Sequence, residues 1–155
     1  MKKMTVFFVG LLLVSGVFAA GNEMSFGINF GFMTDQSFSF DPVYWTAGVE
    51  LDLQFGNYIM FSPEVILVGS GFEFKDFFFF PAAILNFTAS NFFIGGGLTK
   101  GFYLGSGTAT EITDVALKLN AGITSKNLKL TAYAITAFNN LFNDMILGAS
   151  FGFKF

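Results

Sequence analysis

Cysteine, histidine and arginine are all absent from this chain of 155 residues, and only 12% of its residues are charged. Without cysteine, the chain can form neither disulfides nor thiolate metal sites. Without histidine, it has no imidazole base for a Ser-His hydrolase and no histidine ligand for zinc. Without arginine, it lacks the planar fork that holds phosphate or carboxylate at two points. We therefore expect no enzyme activity, no cofactor and no bound metal.

Phenylalanine and glycine are the residues that the chain has in excess. It contains 25 Phe and 18 Gly, and 53% of its residues are hydrophobic. Aromatic residues favour strands, whereas glycine weakens helix interiors and permits tight turns. A net charge of −3 offers no basic surface for nucleic acid. The composition therefore indicates a strongly apolar, strand-rich single domain.

The first nineteen residues have the pattern of a secretory signal peptide. Lys2 and Lys3 supply the positive start, residues 4–14 are apolar, and Val17 and Ala19 are small residues where a signal peptidase cleaves. We expect a signal peptide at residues 1–19, cleaved there or one or two residues later, and one domain at residues 20–155. A retained membrane anchor is the alternative, but the segment is short for a spanning helix.

Alternation of apolar and polar residues with a period of two is the main structural signal. In Tyr44–Phe55, residues such as Trp45 and Leu51 share one face, whereas Glu50 and Asp52 lie on the other. Similar alternation marks residues 24–33, 114–124 and 144–155, and more weakly residues 58–68, 77–88, 92–104 and 128–138. Eight segments of about ten residues each have the length that tilted membrane-spanning strands need.

Short and long connections alternate between these eight segments. The short ones are residues 56–57, 89–91 and 125–127, and the long ones are residues 34–42, 69–76, 105–111 and 139–143. Bacterial barrels have short periplasmic turns and longer extracellular loops, and closure leaves no sheet edge in lipid. We predict an all-β fold, an eight-stranded antiparallel up-and-down transmembrane β-barrel. The alternative is a soluble sandwich or a lipocalin-like barrel with its apolar face inward.

The C-terminus alternates Phe151, Phe153 and Phe155 with glycine and lysine. In this ending and in its strand pattern, the chain resembles small bacterial outer-membrane barrels, including the OmpA transmembrane domain, OmpX-type proteins and opacity proteins. The resemblance implies a monomer in the outer membrane, in contact with its lipids and lipopolysaccharide. It also implies an assembly signal in the last strand, read by the barrel-assembly machinery after passage with periplasmic chaperones. Lipid A deacylases and palmitoyl transferases are similar barrels, but they rely on a catalytic histidine.

The polar faces of the strands carry three acidic and three basic residues that we expect inside the barrel. They are Glu50, Asp52, Glu64, Lys118, Lys129 and Lys154. An unpaired charge in a narrow lumen costs several kcal/mol, so pairing is expected. We predict a network of ion pairs that plugs the lumen and leaves a structural role in the envelope. A gated or leaky polar path is the alternative.

Phe78 and Phe80 share a face with Asn86 and Thr88, and they point into the lumen if those polar residues do. They are candidates for the lining of an apolar ligand path, as in OmpW-like barrels. The alternative is that they fill space beside the glycines of the next strand.

Trp45 and Tyr103 are expected in an aromatic girdle at the outer rim, and Tyr58 at the inner rim. These rings would position the barrel in the membrane and carry no chemistry. A third functional hypothesis is surface binding or adhesion through the outer loops, but the loops are short for a standard protein interface.

Overall fold

The computed structural model describes residues 23–35, 37–38, 44–70, 76–105, 111–138, 141 and 145–155. The expected signal peptide, residues 1–19, lies outside these ranges, as does much of the four longer connections. Among the described residues, no helix is both long enough and apolar enough to cross a membrane.

Eight strands follow one another along the chain. They are β1 (Met24–Asp35), β2 (Tyr44–Phe55), β3 (Ile59–Ser70), β4 (Asp76–Ala89), β5 (Phe92–Gly105), β6 (Glu111–Thr124), β7 (Leu128–Ala137) and β8 (Ile146–Lys154). Each corresponds to one predicted segment, and the predicted bounds differ by at most three residues. The prediction of eight strands is confirmed.

The sheet closes on itself. Each strand is antiparallel to its neighbours in sequence, and β8 pairs with β1 from Gly27 opposite Lys154 to Asp35 opposite Ile146. Beyond this ladder, the N–H of Phe155 donates to the carbonyl oxygen of Phe26 at 2.8 Å. The predicted antiparallel up-and-down barrel is confirmed, and a two-sheet sandwich is excluded.

Large apolar side chains cover the outside of the barrel because alternate residues of a strand point to opposite faces. On β1, Phe30 is 55% exposed, whereas the adjacent Asn29 is only 5% exposed. Exposed large apolar residues occupy outward positions on all eight strands: Phe26, Phe30, Phe32, Val49, Leu67, Leu85, Phe87, Ile94, Leu98, Leu119, Leu130, Phe151 and Phe153. A water-soluble barrel does not expose a continuous apolar surface of this kind, so the lipocalin-like alternative is excluded.

The two ends of the barrel differ in their connections. The tight turns at residues 56–58, 90–91 and 125–127 share one end with both termini of the barrel, and this end is called the turn end below. The longer connections share the other end, called the loop end. In the second tight turn, Ser90 rather than Asn91 adopts a positive φ of 56°, although asparagine is the residue that tolerates it better.

One irregularity interrupts the ladder between β5 and β6. Lys100 lies opposite Val115, whereas Phe102 lies opposite Ile112, so β6 has one additional residue at this point. Such a β-bulge increases the local twist of the strands. It explains why the alternation in the sequence indicates a β6 that begins only at residue 114, after the irregular residues.

Candidate functional site in the barrel lumen

Three carboxylates on one wall of the barrel face three lysines on the opposite wall. Glu50 and Asp52 lie on β2 and Glu64 on β3, whereas the lysines belong to β6, β7 and β8. The structure places all six predicted residues in the lumen: Glu50, Asp52, Glu64, Lys118, Lys129 and Lys154. The three lysines therefore balance the three carboxylates across the barrel.

Lys129 joins both carboxylates of β2. Its Nζ lies 2.9 Å from Oε2 of Glu50 and 2.9 Å from Oδ1 of Asp52, and its side chain is 3% exposed. The ammonium also lies 5.1 Å from the ring centroid of Phe93, in cation–π contact. One buried cation is thus held by two anions and an aromatic face, which compensates the loss of water around it.

Asp52 is the most connected acid of the network. Besides Lys129, it pairs with Lys154, whose Nζ lies 3.2 Å from Oδ2 of Asp52. The hydroxyl of Ser62 donates to Oδ1 of Asp52 at 2.6 Å, and Nδ2 of Asn86 donates to that hydroxyl oxygen at 3.0 Å. The Asp52 carboxylate of β2 therefore contacts residues of β3, β7 and β8 directly, and β4 is linked to it through Ser62.

Lys118 forms the second centre of the network. Its side chain is buried at 1% exposure and pairs with Oε1 of Glu64. Its Nζ lies 4.3 Å from the ring centroid of Tyr133 on β7. Glu64 lies directly opposite Glu50 in the β2–β3 ladder, and two like charges in this position repel each other. Lys118 and Lys129 each neutralise one of these two glutamates.

Small residues on β1 and β2 make room for the network. A Cβ atom added at Gly27 would lie 2.8 Å from Cγ of Glu50, and one at Gly48 would lie 2.6 Å from Oδ1 of Asn29. Both glycines lie on lumen-facing positions, where larger side chains would displace polar groups. The strand faces that are small and polar in the sequence thus line the lumen, and the space that they leave is filled by longer side chains such as that of Glu50.

The lumen nearer the loop end is apolar. Its buried cluster consists of Met33, Ile66, Val68, Tyr133 and Ile135, with Tyr44, Phe80, Ala116 and Ile146 packed against it. The sequence indicated an apolar stretch of lumen only around Phe80, although each member of the cluster shares the parity of polar lumen residues on its strand. The lumen therefore has two layers, an apolar one toward the loop end and a charged one toward the turn end.

The open space that enters the lumen from the turn end reaches the charged layer. A vestibule of about 720 Å³ opens at the turn end, between residues such as Gln54, Tyr58 and Thr88, and reaches Asp52 and Lys154. A second cavity, lined by Glu50, Glu64, Lys118 and Lys129 among others, has a volume of about 10 Å³. Such a cavity has room for about one water molecule.

Phe78 and Phe80 both lie on the lumen face of β4, but their neighbours differ from those expected. Phe78 lies opposite Tyr103 of β5, with ring centroids 5.2 Å apart, and is 40% exposed at the loop end. Gly95 and Gly97 lie instead opposite Asn86 and Ile84. Phe80 packs on the apolar cluster, so the two rings lead to a filled layer.

The position of Tyr103 corrects its assignment to an aromatic girdle. Because it faces the lumen with Phe78, it does not lie on the outer surface where a girdle residue would be. Trp45 does face outward, and its ring lies 6.0 Å from that of Phe77. Tyr58 lies in the first tight turn and is 71% exposed at the turn end.

The C-terminal aromatics lie along the seam between β8 and β1. The ring centroids of Phe151 and Phe153 are 4.8 Å apart on the outer face. Phe155 follows the last strand and is bonded to Phe26 through its backbone. Its side chain is exposed.

The sequence analysis did not identify Ser62, Phe93 and Tyr133 as parts of the network, and it expected Asn86 inside the lumen without this contact. Each lies on a lumen-facing position of a predicted strand. The direction of its side chain was therefore predictable from the sequence, but its partner in the network was not. Within the described ranges, no group of three or more acidic, cysteine or histidine side chains is arranged to hold a metal ion.

Comparisons with known proteins bear on the fold. No protein-family model and no curated protein matches the chain. The crystal structure of the N-terminal β-barrel domain of Pseudomonas aeruginosa OprF is similar over 86% of this chain and 99% of that domain, with a TM-score of 0.52 and 12% identity. Neisserial surface protein A has the same score and identity over 86% of this chain and 97% of its own.

A de novo designed transmembrane β-barrel is also similar, over 84% of this chain and 95% of its own, with a TM-score of 0.50 and 9% identity. At these identities the likeness is one of fold. The chain thus has the fold of the small eight-stranded transmembrane barrels found in bacterial outer membranes, which the sequence pattern and its aromatic C-terminus predicted.

Proposed function

We propose that the chain is an integral barrel of the bacterial outer membrane, with a structural role in the envelope and a lumen closed by its own side chains. The observation that carries this proposal is the bridge from Lys129 to both Glu50 and Asp52 across the lumen. A pore needs a continuous hydrated path along the lumen, whereas these side chains lie in the middle of the lumen.

The apolar exterior supports the proposed location. Every strand presents at least one exposed Phe, Leu, Ile or Val outward, and a closed barrel leaves no unpaired backbone edge in lipid. Barrels with this exterior carry their longer loops on the extracellular side, so the turn end would face the periplasm. The outer-membrane location also fits the fold of the similar structures.

A lumen that is filled by side chains favours the structural role over a transport role. The vestibule of about 720 Å³ lies at the turn end, whereas the cavity among the charged residues has a volume of only about 10 Å³. Above this layer, Ile66, Val68 and Ile135 pack together in the lumen. An apolar molecule bound near Phe78 would therefore meet a packed layer and not a path. The outer loops, through which adhesion would act, lie largely outside the described residues.

The remaining assignments belong to the same proposal. The protein would act as a monomer without enzymatic activity, cofactor or metal. Its partners would be outer-membrane lipids and lipopolysaccharide, together with periplasmic chaperones and the barrel-assembly machinery during biogenesis. The alternating Phe151, Phe153 and exposed Phe155 support recognition of the last strand.

Reconstitution into lipid vesicles tests the proposed location. The urea-unfolded protein is diluted into vesicles, floated through a density gradient and washed with alkaline carbonate. We expect the protein to float, to resist the wash and to migrate differently on gels with and without boiling. Recovery of the folded protein in the soluble fraction, without vesicles or detergent, would contradict the proposal.

A further inference from the structure

Lys100 differs from the other lysines of the described strands in the direction of its side chain. Lys118, Lys129 and Lys154 point inward and pair with carboxylates. Lys100 follows Thr99, which is buried in the lumen at 3% exposure, so Lys100 lies on the outward face of β5. Within the described part of the chain, it makes no ion pair or hydrogen bond.

Apolar side chains surround Lys100 on the outer surface. Leu98, two residues away on the same face, is 52% exposed, and Val115, opposite on β6, is 44% exposed. Toward the loop end, the rings of Phe79 and Phe102 lie 5.6 Å apart. The ammonium group therefore emerges between membrane-facing side chains and an aromatic pair.

Lys100 lies in the half of β5 nearer the loop end, two residues before Phe102 on the same outward face. Opposite it on β6 lies Val115, and the exposed Asp114 follows Val115 toward the loop end, within the bulge. A lysine on the lipid face costs about 2–4 kcal/mol at the bilayer midplane and about 0–1 kcal/mol near the interface. The long side chain of Lys100 can extend its ammonium group from this level to the headgroups.

We propose that Lys100 binds the phosphate group of an outer-leaflet lipid. The inference rests on the proposed function, because it requires the barrel to span a membrane with its loop end outward. The ligand reaches Lys100 from the bilayer, since Leu98, Val115 and Phe102 around it all face that way. An ammonium is a compact cation that suits phosphate as a point charge, and the apolar neighbours accommodate acyl chains.

Native mass spectrometry of the detergent-released barrel tests this assignment. The folded protein is equilibrated with vesicles of phosphatidylcholine mixed with either phosphatidylglycerol or lipid A, and the retained lipid is counted for each variant. Lys100→Met removes the cation, Lys100→Arg keeps it, and Lys126→Met removes an exposed lysine from the third tight turn as a matched control.

We expect Lys100→Met to lower the retention of phosphatidylglycerol, lipid A or both about five-fold, which corresponds to roughly 1 kcal/mol per lysine near an anionic surface. Lys100→Arg and Lys126→Met should retain as much as the wild type. The lipid whose retention falls identifies the source of the phosphate. Equal retention by Lys100→Met and wild type, or an equal fall in Lys126→Met, would overturn the inference.

Failure of this inference is distinguishable from failure of the proposed function. A wild-type barrel that floats with vesicles but shows no dependence on Lys100 leaves the membrane location intact. Lys100→Met replaces a charge on the lipid face by an apolar side chain, so the variant is expected to fold. Its heat-dependent migration on gels verifies folding before lipid retention is compared.

Discussion

Lys129 and Asp52 are 77 residues apart in the chain, yet the Nζ of Lys129 lies 2.9 Å from Oδ1 and 3.2 Å from Oδ2 of the aspartate. The same ammonium contacts Glu50 on the same strand. This contact across the lumen links β7 to β2, which are not neighbours in the sheet. It therefore braces opposite walls of the barrel, and under the proposed function it also blocks passage through the lumen.

Lys129→Met should destabilise the barrel strongly. The substitution leaves Glu50 without its lysine and Asp52 with one lysine, Lys154, instead of two, and breaking a buried ion pair costs about 3–5 kcal/mol. Urea unfolding in vesicles measures the change, with Trp45, the one tryptophan of the chain, as the fluorescent probe. The exposed Lys126→Met is the matched control and should shift the midpoint little. Equal midpoints for both variants would contradict the bracing role of Lys129.

Lys118→Met should also be destabilising, and a second substitution should relieve the effect. The single variant leaves the carboxylate of Glu64 buried without its partner. Adding Glu64→Gln removes that charge, so the double variant should regain much of the lost free energy of unfolding. A double-mutant cycle on urea midpoints measures the coupling. Additive effects of the two substitutions would show that the pair does not stabilise the barrel.

Gly97→Ala should destabilise the barrel more than Gly96→Ala, although the two glycines are adjacent. A Cβ at Gly97 would lie 2.7 Å from Cα of Ile84 and 2.8 Å from the carbonyl carbon of Ala83, and backbone atoms cannot yield. A Cβ at Gly96 would meet the mobile end of the Leu119 side chain at 3.0 Å. Overpacking costs about 1–3 kcal/mol.

Unfolding midpoints of the two alanine variants in the same vesicles provide the comparison. The Gly96 variant should stay within about 0.5 kcal/mol of the wild type, as substitutions outside the packed interior usually do. The reverse order of stability would mean that the tight contact between β4 and β5 at Gly97 is not as the structure has it.

Phe155→Ala should lower the amount of barrel assembled in cells and leave its stability in vitro nearly unchanged. The bonds of Phe155 to Phe26 run through backbone atoms, at 2.8 and 3.2 Å, and survive the loss of the ring. The refolded variant should therefore unfold within about 0.5 kcal/mol of the wild type. Its level in the outer membrane of an expressing bacterium should fall several-fold, as measured by immunoblot of membrane fractions. An unchanged level would show that the side chain of Phe155 is not part of the assembly signal.

The faces of the strands were predictable from the sequence because side-chain direction alternates strictly along a strand. Glu50 and Asp52 share the parity of Gly48, so they were expected inside the barrel. Lys118 was expected there too, because it alternates with the apolar residues Leu117 and Leu119. Which lysine meets which carboxylate was not predictable. That depends on the stagger of strands on opposite walls, for which no local pattern exists.

The same stagger explains the corrections at the loop end. Phe78 meets Tyr103 and not the glycines because the β4–β5 register fixes which residues are opposite, and the sequence specifies this register only through the whole ladder. The bulge in β6 broke the alternation and concealed the start of that strand. Lys100 was overlooked because a single lysine among apolar residues has no pattern of its own.

Single-channel recording in planar lipid bilayers tests most directly whether the lumen is closed. The folded wild-type barrel is inserted from detergent, and its incorporation is verified by recovering heat-modifiable protein from the same preparation of lipid. Because Lys129, Glu50 and Asp52 occupy the lumen below a packed apolar layer, we expect no discrete conductance steps at moderate voltages. Reproducible steps from the verified wild-type protein would contradict the closed lumen and favour a channel.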